Sequence, residues 1–459
     1  MLSPLLIAAT LSSAFALHEP EKPVGPVLGA VGPTSARLWY RPSEPGDLSL
    51  FVMNPTGEIV AVSEATASPD HDLVAHFEIS GLSPGVKYTY VVRRNEQVLA
   101  GPDGCTLTAA PPLDQPCRVN IAFGSCANHQ TFPQQPVWTT IGGGVHHDGA
   151  PSNDPADVIV LLGDTPYIDS TDLAVQRTRY REFFSLSDAA PLFRCTPQYA
   201  TWDDHDFGAN DTSGDIKGKD NSRKAFTEYH AGGVYGDGAN PGHGIYSSFR
   251  YGPVEVFLID ARWFSGTEKS LADPERPTLL GGKQWEWLQQ KLARSTATFK
   301  VLATGMIWNE AVRPNKPDHW MAYPAERKAL LDFIAENKIP GVVLMGGDIH
   351  RSRALKHPTS ETGVSYELWE FIASPLAQKV MASAKVDHPA LVHDVGEEHS
   401  FIMLTADTTT TPATLTATCY ASDGRELFKV ELKEDAMRPH ASTKTNKAGP
   451  DESEPALRR

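Results

Sequence analysis

Four short segments constrain this chain more than any other feature. They are Phe123-Gly124-Ser125-Cys126-Ala127-Asn128, Leu162-Gly163-Asp164-Thr165-Pro166-Tyr167-Ile168-Asp169, Trp202-Asp203-Asp204-His205-Asp206-Phe207-Gly208-Ala209-Asn210-Asp211, and Met345-Gly346-Gly347-Asp348-Ile349-His350-Arg351. Each closes an apolar, β-like run and then offers Cys, Asp, Tyr, His or Asn just after small or turn-forming residues. Strand ends of an α/β sheet are where ligand sites collect. So many carboxylates in one cleft would repel each other and raise each other's pKa, a penalty that multivalent cations remove. Asp164 is suited to bridge two ions. Cys126 as thiolate and Tyr167 as phenolate suit a strongly Lewis-acidic ion such as Fe3+, and Asp204 and Asn210 suit Ca2+ or Mg2+ as well as transition metals.

Taken singly, each piece has a plainer explanation. A lone Cys126 is more often a small buried residue, a lone Tyr167 core packing, Trp202 core, and the Asp203–Asp206 run a solvated loop. Their joint occurrence at strand ends favours chemistry.

Around these segments the patterning sorts the chain into regions. Residues 24–110 read as short strands broken by turns such as Gly81-Leu82-Ser83-Pro84-Gly85, a small all-β sandwich. A Pro-rich stretch, Thr108 to Pro116, reads as a linker. From 117 to 433 strands alternate with helices, including Leu173 to Phe184, Gln284 to Leu292 and Ala325 to Asn337, and the region finishes with three antiparallel strands between Phe401 and Lys433. That mixture predicts a layered α/β domain. Residues 434–459 are polar and read as a disordered tail.

A net charge of -15 argues against bulk nucleic-acid binding, but not against an anionic substrate held through metals. Residues 1–16 are apolar and end in Ala14-Phe15-Ala16, which reads as a secretory signal cleaved after Ala16, although no Lys or Arg precedes Lys22. The expected location is therefore secreted, periplasmic or cell-surface. No later segment is long and apolar enough to span a bilayer. The 5 cysteines leave one over in any pairing; Cys105 and Cys117 are candidates for a disulfide, and Cys195 with Cys419 follows only by arithmetic.

These segments together resemble the PhoD-like metallophosphatases, the alkaline phosphatase D family. Further matches in the same order are Phe257-Leu258-Ile259-Asp260-Ala261-Arg262, Leu280-Gly281-Gly282-Lys283-Gln284-Trp285, Pro324-Ala325-Glu326-Arg327 and Ala373-Ser374-Pro375. The N-terminal region resembles a fibronectin type III-like domain. The resemblance implies a four-layer α/β/β/α sandwich behind that domain, and an exported metal-dependent phosphoric ester hydrolase, monoesterase or diesterase, that uses a metal-bound hydroxide. It implies Fe3+ held by Cys126, Asp164, Tyr167 and His350, and Ca2+ at a second site held by Asp204 and Asp348, with Asn210 and Asn309 as weaker candidates. His205 would bind the phosphoryl oxygens and assist the leaving group, oriented by Asp203 or Asp206. Arg351 would either help neutralise the phosphate or form an ion pair. The second segment departs from the family in carrying Thr165-Pro166 before Tyr167, while keeping the Asp-x-x-Tyr spacing. The competing expectation is a non-catalytic surface binding protein on the same fold.

Overall fold

The computed structural model describes residues 22–144, 153–236, 243–311 and 316–439. The expected signal segment, residues 1–16, lies outside them. Among the described residues no helix is long and apolar enough to cross a membrane.

The N-terminal unit is a β-sandwich. One sheet holds Val24–Val31, Ser35–Arg41 and Ala75–Ser80; the other holds Gly46–Met53, Ile59–Ala67, Lys87–Arg94, Gln97–Ala100 and Thr106–Thr108. Inward residues alternate along the strands, and Leu38, Leu50, Phe77 and Tyr90 fill the space between. The sandwich is a packed partner of the larger domain, not a tethered spacer. Trp39 meets Phe184 and Tyr229 edge-on, at 5.1 and 5.4 Å between ring centroids. The Ala30 N–H donates to Ala231 O at 2.8 Å. Gly29 makes that approach possible, since a Cβ there would sit 2.3 Å from Ala231 O.

The larger domain is built on two sheets. The six-stranded sheet runs Gln198–Thr201, Val158–Leu162, Arg118–Gly124, Ser400–Asp407, Thr414–Ala421, Glu426–Lys433. The seven-stranded sheet runs Ser247–Tyr251, Val254–Leu258, Phe299–Ala303, Val342–Gly346, Leu368–Ile372, Ser352–His357, Leu391–Val395. Strand periodicity explains the layering. Val119, Ile121, Phe123, Val158 and Val160 point into the core shared with the second sheet, whereas Ala122, Ile159 and Leu161 point the other way, onto Trp138, Tyr180 and Phe183. Helices Gly281–Arg294 and Pro324–Glu336 bury Leu288, Leu292, Leu330 and Ile334 in the same core as the seven-stranded sheet. The architecture is the expected four-layer α/β/β/α sandwich behind a small β domain.

One strand that apolar patterning does not pick out carries buried polar groups. In Ser352–His357 the side chains of Arg353 and His357 are fully buried and paired with Asp394 and Glu370. The chain also stays ordered past the expected end of the domain. Glu434–Met437 form a 3-10 turn, Met437 is buried, and its carbonyl accepts from the Gly341 N–H.

All five cysteines are unpaired, which sets aside both pairings considered from the sequence. Cys419 is buried in a central strand, Cys195 is exposed, and Cys105 lies in the sandwich core.

Candidate metal centre

Parallel pairing sets three of the four segments level. Leu161 pairs with Gly124 and Leu162 with Thr201, so Cys126, Asp164 and Asp203-Asp204 leave the same end of one sheet. Asp348 and His350 follow Val342–Gly346 of the other sheet. Gly163 lets the loops touch: its φ is +97°, and a Cβ would lie 2.4 Å from Asp203 N.

Backbone strain concentrates here. Ten non-glycine residues have left-handed φ among the described residues, and six of them are Cys126, Asp164, Asp169, Asp211, Asp348 and His350. Such conformations are costly for residues with a Cβ and persist where surrounding contacts enforce them, commonly at functional sites. The contacts are visible. His205 N–H donates to Asp164 Oδ1 at 3.3 Å, and the Ile168 and Asp169 N–H groups both donate to His205 O at 2.9 Å. Asp206 accepts from the Asp203 N–H at 2.6 Å, which closes the first turn of Asp204–Phe207.

One half of the centre mixes donor types. Cys126 Sγ lies 3.4 Å from Asp164 Oδ2, and the Tyr167 hydroxyl lies 3.0 Å from His350 Nε2. His350 Nδ1 is 3.0 Å from the Lys379 carbonyl, a contact that leaves Nε2 an unprotonated acceptor facing the Tyr167 hydroxyl when Nδ1 carries the proton. Ser374 joins two of these residues: its Oγ accepts from the His350 N–H at 3.0 Å and donates to Cys126 Sγ at 3.3 Å. The other half is carboxylate. Ligand atoms of Asp164, Asp204 and His205, of Asp203, Asp204 and Asp348, and of Asp204, Asp211 and Asp318 form three groups, each within 4.8 Å, and Asp204 belongs to all three.

Electrostatics fit a cation. Burial, then the neighbouring Asp204, pushes Asp164 up to about 7, and burial raises Asp348 to about 6 against the pull of Lys316. Burial also drives the Cys126 thiol and the Tyr167 phenol well up. Buried acids that hold one another neutral are donors a multivalent cation would ionise. The mixed thiol, phenol, imidazole and carboxylate set therefore fits a metal. Asp204 differs: burial opposes ionisation, but Arg262, His205 and Lys316 together bring it down to about 2.

His205 is set up as a donor. Its Nδ1 lies 2.6 Å from Asp169 Oδ1, and its ring packs on Tyr167 with centroids 4.3 Å apart. Burial works against the charged ring, but Asp164, Asp169 and Asp204 raise it to about 10. The orienting carboxylate is thus Asp169. Asp203 instead pairs with Arg262, whose guanidinium also grips Asp318 through two bonds of 2.8 and 2.7 Å, and Asp206 caps its own turn.

Three expected site residues are not drawn into the cluster. Asn210 is exposed at the turn, and it is Asp211 beside it that joins Asp204, through an N–H bond of 2.7 Å to Asp204 Oδ2. Asn309 donates to Glu370 at 2.8 Å and accepts from the Ala311 N–H at 2.7 Å, so both ends of its amide are engaged. Arg351 forms the ion-pair alternative, 2.7 Å from Asp394. Conversely, Asp318 and Lys316 lie in no strand-end segment, and nothing in the local pattern signals them.

A family model described as PhoD-like phosphatase matches residues 121–437. Alkaline phosphatase D of Bacillus subtilis (strain 168) is 25% identical over 337 residues, covering 65% of this chain and 56% of that protein. The chain thus spans little more than half the length of this curated relative. Among solved structures, that of PhoD superposes with a TM-score of 0.68 at 19% identity, covering 88% of this chain and 91% of the other. Purple acid phosphatase PPD1 from yellow lupin (Lupinus luteus) seeds gives 0.64 at 12% identity, over 90% and 74%. At these identities the superpositions speak for the fold.

Proposed function

The chain belongs to the PhoD-like phosphatase family, and from that premise we propose that it is a metal-dependent hydrolase of phosphate esters, working outside the cytoplasm. The observation that carries this is the convergence of four strained strand ends on one donor set: Cys126, Asp164, Tyr167 and His350 on one side, Asp204 and Asp348 on the other.

Cys126, Tyr167 and His350, with Asp164, would hold Fe3+; Asp204 and Asp348, with Asp164 shared, would hold a cation of the Ca2+ type. When bound, the cations supply Lewis acidity and a means of generating a nucleophile from water at neutral pH. The protein's own part is positioning. His205, held at Nδ1 by Asp169, offers its other ring nitrogen to a phosphoryl or leaving oxygen. Ser125 and Ser374, the hydroxyls beside Cys126, are fully buried and turned towards sulfur and carbonyl oxygen, so neither is available as a nucleophile and no phosphoenzyme is expected. Export rests on the apolar segment ending at Ala16, and secreted material should begin at Leu17.

The test pairs elemental analysis of the purified chain with hydrolysis of matched chromogenic phosphate mono- and diesters. Turnover of either with metal present supports the proposal and ranks the substrates. Full metal content with no turnover of any ester would favour a binding protein on the same fold.

A further inference from the structure

Lys316 places an ammonium inside the carboxylate half of the centre. Its Nζ lies 2.8 and 2.9 Å from the two oxygens of Asp348, 3.3 Å from Asp211 and 3.7 Å from Asp318, and the side chain is 8% exposed. A buried ammonium is expensive unless anions surround it, and three carboxylates do so here. Arg262 cannot serve in its place, because its guanidinium is committed to Asp203 and Asp318. A Ca2+ ion in the Asp204, Asp211 and Asp318 group takes carboxylate oxygens at about 2.3–2.6 Å and would compete with the ammonium for Asp211 and Asp318, as two cations at that spacing repel strongly in a buried site.

We propose that Lys316 is the resident cation on the Asp211 and Asp318 side of this half of the centre: its ammonium takes a position that a further oxygen-liganded divalent ion would otherwise hold, so the chain keeps the ion assigned to Asp164, Asp204 and Asp348 but binds one fewer than its carboxylates admit. The inference rests on the metal-centre reading above and adds a limit to it.

The test is Ca2+ titration by calorimetry, with elemental analysis, on the full chain as wild type, Lys316→Met and Lys316→Arg. Lys316→Met should bind one more Ca2+ per chain than wild type, and Ca2+ should raise its Tm. Lys316→Arg, which keeps the charge, should match the wild-type count. Equal Ca2+ counts in wild type and Lys316→Met would overturn the proposal. If Lys316→Met folds poorly, recovery of its Tm on adding Ca2+ supports the proposal, and no response to Ca2+ overturns it. Absence of metal from the Cys126–Tyr167 half in every chain would instead count against the proposed function, because the Lys316 claim is judged on the Ca2+ difference alone.

Discussion

The half of the centre around Cys126, Tyr167 and His350 and the half around Asp204, Asp318 and Asp348 handle charge in different ways. The first has few formal charges: a thiol and a phenol driven towards neutrality by burial, beside an imidazole whose Nδ1 contacts the Lys379 carbonyl. The second gathers carboxylates and balances them with side-chain cations, Arg262 beneath and Lys316 within. The first half therefore depends on an added cation to become charged at all, whereas the second is partly neutralised by the fold itself. Asp164 belongs to both, 3.4 Å from Cys126 Sγ and grouped with Asp204 and His205.

That shared position predicts the largest effect. Asp164→Asn should lose hydrolysis by more than the ~10²–10³-fold typical of a single transition-state donor, and metal should fall in both halves. Elemental analysis beside rate assays checks this; loss from one half alone would show that the halves are independent. Next is His205→Ala, expected to lower kcat by roughly 10²-fold while metal content stays constant, because the ring acts on substrate. Metal loss in that variant would make His205 a ligand and move it into the carboxylate half. Asp169→Asn should cost less, on the order of 10-fold in kcat, because it removes only the group that holds Nδ1. An unchanged pH–rate profile with unchanged kcat would exclude that role.

The smallest effect lies in the buried pair of His357 and Glu370. Burial disfavours charge on His357, but Glu361 and Glu370 outweigh it and raise the ring to about 9. A folded pKa above the unfolded value near 6.5 gives stability that is complete below about pH 6.5 and is lost as pH rises through about 9. Wild-type Tm should fall across that window, and His357→Gln should flatten the fall. Parallel slopes would show that the network contributes nothing.

The two halves also differ in how readily the sequence reveals them. Cys126, Asp164, Tyr167 and His350 each stand a few residues past an apolar run, so strand patterning and residue chemistry find them together. Asp318 and Lys316 reach the centre from a loop that follows Trp308, and what holds Asp318 there is Arg262, a contact across 56 residues of sequence that no local pattern encodes. Asp169 and Asp211 fell inside recognised segments, yet their roles depend on left-handed turns that aim one acid and not its neighbour. The same holds for the braces. Asp260 takes the Trp202 indole N–H and three backbone N–H groups, and Glu326 takes Thr278 and the Leu279 and Leu280 N–H groups, so motifs without visible chemistry turn out to hold the loops in place. The four-layer fold was legible because apolar alternation dominates its central strands; Ser352–His357 escaped because Arg353 and His357 stand among its buried positions.

The most direct test of the central claim is hydrolysis of a chromogenic phosphate ester by the full chain before and after exhaustive chelation, with metal content measured on the same samples. Turnover should disappear as metal is stripped and return when metal is restored, while the fold survives. Undiminished turnover by metal-free protein would contradict the account.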